Sequence, residues 1–173
     1  KPDIAAPFGF NRIVGVETVD SPLVRLLNVR FVVTLSDLND PQYVKVHEEG
    51  QTRVYENKDW IPRVYLVNRL ITKPREQETM DALYSFDFDP TTAAVVEESL
   101  HIDESPFASD ESAHITQYEH DFMELEVTTK TRRFLVIANR YDQGWRVSIN
   151  GQQSPIVRVN FLFFGIVVPA GKH

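Results

Sequence analysis

Apolar and polar residues alternate along much of the chain, a pattern that predicts β-strands with one buried face. The alternation is clear over 43–47 and 53–56, and the Glu49-Gly50 turn between these segments predicts a hairpin. Further strands are expected at 29–35, 63–67, 115–129, 134–139 and 145–149. The second half of the chain should therefore be nearly all strand.

Two short stretches carry helical signals instead. Ser21-Pro22 suits the cap and the first position of a helix, and leucines follow at helical spacing. The second helix is predicted over 75–86, where apolar side chains recur at spacings of three and four. Residues 1–20 are predicted to be irregular, and 99–113, rich in serine and acidic residues, to form a solvated loop.

Many short strands with only two short helices favour a mainly β fold, an antiparallel β-sandwich of the jelly-roll or immunoglobulin-like kind. No βαβ alternation supports a nucleotide-binding sheet. The length of 173 residues suits one domain over 1–173. No apolar run approaches the roughly 18 residues of a membrane-spanning helix, so we expect a soluble chain. Both ends look cut from a larger protein.

The Asn150-Gly151 turn predicts a second hairpin, and its two strands are out of phase. A plain two-residue turn places Ile156 on the face of Trp145, Val147 and Ile149, whereas the following apolar residues begin at Val157. We therefore predict a bulge near Pro155 that resets the register.

Charge divides the chain into regions of opposite sign. The segment 76–129 holds fifteen acidic residues and no lysine or arginine, while the flanks carry a net +8 within a total of −7. The flanks and the middle are therefore expected to adjoin in the fold. A net acidic chain without a basic run makes nucleic acid an improbable partner.

Signatures of catalysis are not found in the sequence. It has no cysteine, no Gly-rich phosphate loop, no His-Glu-x-x-His and no Gly-x-Ser-x-Gly elbow. The interpretation is a chain that is not an enzyme by itself and that holds neither a cofactor nor a metal ion.

Two groups of side chains leave alternatives open. His101, His114 and His120 lie among carboxylates and could hold a metal ion, although a solvated acidic surface is the favoured interpretation. Asp87 and Asp89 have the spacing of an acid/base pair, although aspartate before Pro90 is more typical of a turn.

The candidate binding residues surround one predicted turn. Arg140, Tyr141, Trp145 and Arg146 offer aromatic rings beside guanidinium groups, which can stack on a sugar or hold an anion. Trp145 shares a strand face with Val147 and Ile149, so it is expected to pack into the core. Tyr141 and the arginines then remain as the surface group.

Four stretches, in order, carry a resemblance to a known family. They are SPLVRLLNVRFVV at 21–33; VYEN at 54–57 with IPRVYLV at 61–67; FDP at 88–90 before AAVVEE at 93–98; and NRYDQGWR at 139–146 with ING at 149–151, RVN at 158–160 and GIVVPAGKH at 165–173. Together they resemble the C-terminal region of the YfhO family of bacterial multi-spanning membrane proteins. The chain departs from that pattern at Gln143, where the family often has proline, and at Phe164, where it often has arginine.

The resemblance implies a multi-pass parent similar to lipid-linked-sugar glycosyltransferases, with this domain on the extracytoplasmic face of the bacterial cytoplasmic membrane. It implies no catalytic residue here, and it adds Asn160 to the candidate binding residues. The leading hypothesis is a domain that binds or positions an envelope glycan acceptor. The alternatives are a structural module that packs against its own transmembrane domain and a secreted glycan-degrading enzyme.

Overall fold

The computed structural model describes residues 22–173 and shows a mainly β, largely antiparallel fold, as the alternation predicted. The helices of this part are α1 (Pro22–Leu26) and α2 (Glu76–Leu83). Its strands are β1 (Phe31–Thr34), β2 (Tyr43–Glu49), β3 (Thr52–Asn57), β4 (Val64–Val67), β5 (Arg69–Thr72), β6 (Ala93–Val96), β7 (Ser112–Tyr118), β8 (Met123–Thr129), β9 (Arg133–Ile137), β10 (Val147–Ile149), β11 (Gln152–Ser154), β12 (Val157–Val159), β13 (Phe163–Val168) and β14 (Gly171–Lys172).

Two predictions fall outside the described residues, namely the irregular segment 1–20 and the Ser21 cap. Within 22–173, no helix has the length and apolar character needed to cross a membrane.

A six-stranded sheet with the order β4-β9-β13-β12-β6-β5 forms the centre of the fold. Successive side chains of a strand point to opposite faces. Phe134 and Val136 of β9 therefore join one hydrophobic core, while Leu135 and Ile137 join the other. The predicted central strand at 134–139 is confirmed, and its buried character follows from having both faces covered.

Different elements cover the two faces of this sheet. On one face, Leu83 of α2 and Ile102 of the segment between β6 and β7 are buried in the first core. On the other face, the sheet β14-β8-β7 and the β10–β11 hairpin pack Leu125, Val147 and Ile149 against the second core. The result is a sandwich-like arrangement.

An additional antiparallel sheet, β1-β3-β2, follows α1, and it confirms the predicted hairpin of β2 and β3. Buried Asn57 of β3 links the sheet to the segments before β1 and β2. Its side chain donates to the Val29 carbonyl at 3.1 Å and accepts from the Gln42 side chain at 2.9 Å. One face of this sheet is not covered by any element within 22–173: Val33 and the neighbouring Leu35 are 67% and 69% exposed.

Two predictions about the strands were wrong. The long strand predicted at 115–129 is a hairpin of β7 and β8, closed where the Glu119 N–H donates to the Phe122 carbonyl at 2.8 Å. A parallel pair also exists: β5 and β6 pair in the same direction across α2, so residues 69–96 form a βαβ unit. The reason is that helix α2 packs on the sheet and returns the chain to the edge from which it started.

The predicted Asn150-Gly151 hairpin is confirmed, with both turn residues at positive φ and Val147 opposite Ser154. The β10–β11 ladder ends at Ser154. This is expected because the next residue, Pro155, has no N–H to donate. The irregularity is more than a bulge, however. After Pro155 the chain changes sheets, and β12 pairs with β13 and β6.

The segment 99–111 has no regular structure, as predicted, but it is not solvated throughout. Ile102 is buried, and the Glu111 side chain is 1% exposed against Arg133. Ion pairs also join the acidic stretch to later basic residues: Lys130 to Asp110 at 2.6 Å, and Arg158 to Glu76 and Glu97 at 3.4 and 3.3 Å. The expected contact between regions of opposite charge is thus present.

Candidate functional site

The candidate site is built on the loop 138–146, which follows β9. Its backbone is tied to the loop before β13, since the Tyr141 N–H donates to the Leu162 carbonyl at 2.8 Å. Asp142 then starts a tight turn: its carboxylate accepts the Gly144 N–H at 2.7 Å, and its carbonyl accepts the Trp145 N–H at 3.2 Å. The turn fixes the positions of the side chains that follow it.

Trp145 is half-buried beneath this turn. Its ring stacks on Phe164 of β13, with centroids 5.6 Å apart and planes inclined by 29°. It packs against the second core together with Val147 and Ile149, which confirms the prediction made from the strand face that the three residues share. Phe164 therefore supplies an apolar platform for Trp145.

One groove runs between the loop 138–146 and β11. It has a volume of about 350 Å³, and we call it the first groove. Its aromatic lining comes from Tyr141 and Trp145, and its polar lining includes Arg146, Gln153 and Ser154. An aromatic ring beside several hydrogen-bonding groups is a surface that suits a sugar ring.

A second groove lies on the other side of Trp145 and Arg146, against the tip of the β7–β8 hairpin. Its volume is about 560 Å³. Phe122 and Trp145 give it aromatic surface, while His120, Asp121 and Asp142 bring titratable groups. Trp145 and Arg146 thus line both grooves.

The Arg146 guanidinium is held by its own loop. Its Nη1 donates to the carbonyl of Gln143 at 2.6 Å and to that of Trp145 at 2.8 Å. Its Nε and Nη2 donors make no hydrogen bond within the described chain. These donors are available to a ligand, on a side chain whose position is already fixed.

The structure brings together three of the five predicted binding residues. Tyr141, Trp145 and Arg146 line the first groove. Arg140 is exposed, lines neither groove and forms no ion pair with a described residue. Asn160 is 3% exposed, and its side chain accepts the Val95 N–H at 2.8 Å inside the fold.

Other groove residues were not proposed as binding residues from the sequence. Asp121 and Phe122 belong to a turn inside what looked like one long strand, and Gln153 comes from a strand that folds back beside the loop. The run Glu119-His120-Asp121 is the signal that could have marked this turn, since it interrupts the alternation with three polar residues.

The other candidate groups lie apart from the grooves, except for His120. Asp89 forms a turn, accepting the Thr91 N–H at 3.0 Å and the Thr91 hydroxyl at 2.8 Å. Partial burial pushes the pKa of Asp89 upward, but these bonds outweigh it and hold the pKa below its ordinary value. Asp87 is exposed. Among residues 22–173, no three His, Cys, Asp or Glu side chains are placed to hold a metal ion together.

Comparison with known proteins gives one match. Residues 106–173, which include both strands of the β7–β8 hairpin and the loop 138–146, match the family model described as bacterial membrane protein YfhO. No curated protein and no solved structure matches the chain.

Proposed function

From the match of residues 106–173 to the family model described as bacterial membrane protein YfhO, we propose that the chain belongs to that family and is a non-catalytic extracytoplasmic domain that binds an envelope glycan. In this proposal the domain holds the glycan acceptor for a glycosyltransferase-like parent. Its own side chains supply binding and orientation.

The observation that carries the proposal is the position of Trp145 and Arg146 between two grooves. The Trp145 ring is fixed by stacking on Phe164, and the Arg146 guanidinium is fixed by two carbonyls of its loop. A rigid aromatic surface and a fixed donor lose little conformational entropy on binding. Because the two grooves share these residues, they can bind neighbouring sugar units of one oligosaccharide.

The polar groups of the grooves agree with a sugar ligand. Gln153 and Ser154 in the first groove can both donate to and accept from hydroxyl groups. Asp121 and Asp142 in the second groove can accept hydrogen bonds from hydroxyl groups. The mixture favours a neutral or weakly charged glycan over a strongly anionic one.

Binding should be tested on the purified chain with an array of bacterial cell-envelope oligosaccharides, followed by calorimetric titration of each hit. Arg146→Ala should weaken binding about tenfold, the loss of about one charge-assisted hydrogen bond. Arg140→Ala is the matched control: it removes the same charge from the same loop but outside both grooves. Absence of binding to every oligosaccharide, or equal losses in the two variants, would contradict the proposal.

A second candidate function is a structural module that packs against its own transmembrane domain. The open apolar face of the β1-β3-β2 sheet, with Phe31, Val33 and Leu35 exposed, favours it. A photo-crosslinking residue that replaces Val33 within the parent protein should form adducts with membrane-domain peptides. The same residue at exposed Gln152 is the control, and equal labelling from both positions would argue against this role.

A further inference from the structure

A second pairing of an aromatic ring with a guanidinium group lies beside the loop 138–146. Its members are Arg63, which directly precedes β4, and Tyr118, the last residue of β7. The Arg63 guanidinium carbon lies 5.3 Å from the centroid of the Tyr118 ring, and Nη1 donates to the Tyr118 hydroxyl at 3.3 Å. Tyr118 is 52% exposed, so its ring also presents surface to solvent. We call Arg63 and Tyr118 the outer pair.

The outer pair is fixed in position by the start of the loop. Arg63 Nη1 also donates to Oδ1 of Asn139 at 2.8 Å, and the Arg63 carbonyl accepts the Ala138 N–H at 2.8 Å. The Nε and Nη2 donors of Arg63 make no hydrogen bond within the described chain. Because the Tyr118 hydroxyl oxygen accepts from Arg63, its own proton can be donated elsewhere. The outer pair therefore offers a positioned ring and several open donors.

The outer pair has the same chemistry as Trp145 and Arg146. In each case an aromatic ring lies beside a guanidinium whose Nη1 is bound within the fold, while its Nε and Nη2 are open. A ring and a guanidinium that are already positioned lose little conformational entropy when a ligand binds. The argument that supports sugar binding at Trp145 and Arg146 therefore applies to Arg63 and Tyr118 as well.

Both pairs are built on the same two elements, the β7–β8 hairpin and the loop 138–146. Tyr118 lies opposite Met123 in the hairpin, and Met123 lines the second groove. Directly opposite residues of an antiparallel pair point to the same face, with Cβ atoms about 5 Å apart. Asn139, which binds Arg63, lies near the start of the loop that ends at Arg146. The outer pair therefore adjoins the second groove.

We propose that Arg63 and Tyr118 form an additional sugar subsite, and that the ligand is an oligosaccharide long enough to reach it from the second groove. The inference rests on the proposed glycan binding and specifies its ligand class, an extended oligosaccharide. One sugar unit stacks on the Tyr118 ring, and its hydroxyl oxygens accept hydrogen bonds from the open Arg63 donors. Two similar aromatic–guanidinium pairs suit a ligand built of similar units.

The test is calorimetric titration with a length series, from two to six sugar units, of the envelope oligosaccharide that gives the strongest array signal. The six-unit member should bind about tenfold more tightly than the two-unit member, which is the effect of about one further aromatic contact. In protein labelled with ¹³C on its tyrosine rings, the NMR signals of Tyr118 should shift with the six-unit probe and not with the two-unit probe. This second measurement requires no substitution.

Three variants identify the residue responsible for the gain in affinity with length. Tyr118→Ala should remove the tenfold gain, whereas Tyr118→Phe, which keeps the ring, should retain most of it. Tyr84→Ala is the matched control and should retain all of it. Tyr84 is 51% exposed, close to the value for Tyr118, but it follows α2 on the opposite face of the central sheet.

The outcomes separate this inference from the proposed function. Equal affinity for all lengths, or a tenfold gain that persists in Tyr118→Ala, would overturn the inference and leave glycan binding in place. The contact between Arg63 and Tyr118 would then serve only to join β7 to the start of β4. Failure of every member of the series to bind would instead remove the proposed function, and the inference with it.

Discussion

Arg133 and Glu111 form an ion pair of 2.8 Å in which both side chains are 1% exposed. All five N–H donors of the Arg133 guanidinium find acceptors. Glu111 takes two of them, and the carbonyls of Asp103, Ser105 and Pro106 take the other three. Phe107 lies over the guanidinium at 4.8 Å. Arg133 therefore hydrogen-bonds to four residues of the irregular segment 99–111, namely Asp103, Ser105, Pro106 and Glu111.

Arg133→Met should destabilise the protein by about 3–5 kcal/mol, because it leaves the Glu111 carboxylate buried without its cation. Urea unfolding of the variant and the parent measures the change. The double variant Arg133→Met/Glu111→Leu should recover only part of the loss, since the carbonyls of Asp103 and Pro106 still lack the donors that Arg133 supplied. A single-variant loss below about 1 kcal/mol would show that the segment does not depend on this pair.

The same pair predicts a pH dependence of stability. Burial alone would raise the pKa of Glu111, but the bonds from Arg133 and from the Lys130 and Ala108 N–H groups lower it to about 2 from 4.5. Because the folded-state pKa is depressed, this stabilisation is complete above about pH 4.5 and is lost as the pH falls toward 2. Urea unfolding at pH 6, 4 and 3 should show it. Glu111→Gln should lose stability at pH 6 and show a shallower decline; equal slopes in both proteins would contradict the assignment.

Strands bounded by recognisable turn residues could be predicted from the sequence. Strand boundaries and pairings that depend on packing between distant segments could not. The hairpins at Gly50 and Asn150-Gly151 follow from turn residues that accept positive φ. The turn at 119–122 has no glycine or proline, so the sequence showed one strand where the fold has two. The parallel pairing of β5 with β6 is set by packing of α2 and leaves no local signal.

Gly165 lies where β13 crosses the Phe134 side chain. A Cβ at this position would lie 2.6 Å from the Leu135 carbonyl oxygen and closer still to the Phe134 ring. Gly165→Ala should therefore cost about 1–3 kcal/mol through overpacking, measured by thermal or urea unfolding. Gly144→Ala is the control, since its Cβ would meet only a carboxylate oxygen of Asp142, at 3.0 Å. A similar cost in both variants would show that the cost at Gly165 does not come from its close approach to Phe134 and Leu135.

The candidate site was predicted in part. Tyr141, Trp145 and Arg146 share one local turn, so sequence proximity sufficed to group them. The opposite walls of the grooves come from the β7–β8 hairpin tip and from β11, segments that only the folded layers bring to the loop. Asn160 was included as a candidate binding residue through the family resemblance, yet its side chain is buried and accepts the Val95 N–H.

Asn160 supports a prediction that separates a structural from a binding role. Its side chain accepts the buried Val95 N–H, and its φ of 50° is one that alanine rarely adopts. Asn160→Gly keeps the backbone conformation and loses the hydrogen bond, at about 1–3 kcal/mol. Asn160→Ala adds the cost of the left-handed conformation, a further 1–2 kcal/mol or so.

Urea unfolding of the two Asn160 variants gives these costs, and calorimetry with any glycan that binds the parent tests the role. If Asn160 acts only within the fold, Asn160→Gly should bind that glycan with the affinity of the parent while being less stable. Reduced affinity in a variant that is still fully folded would instead return Asn160 to the binding site. Equal stability of the glycine and alanine variants would show that the left-handed backbone is not what the position requires.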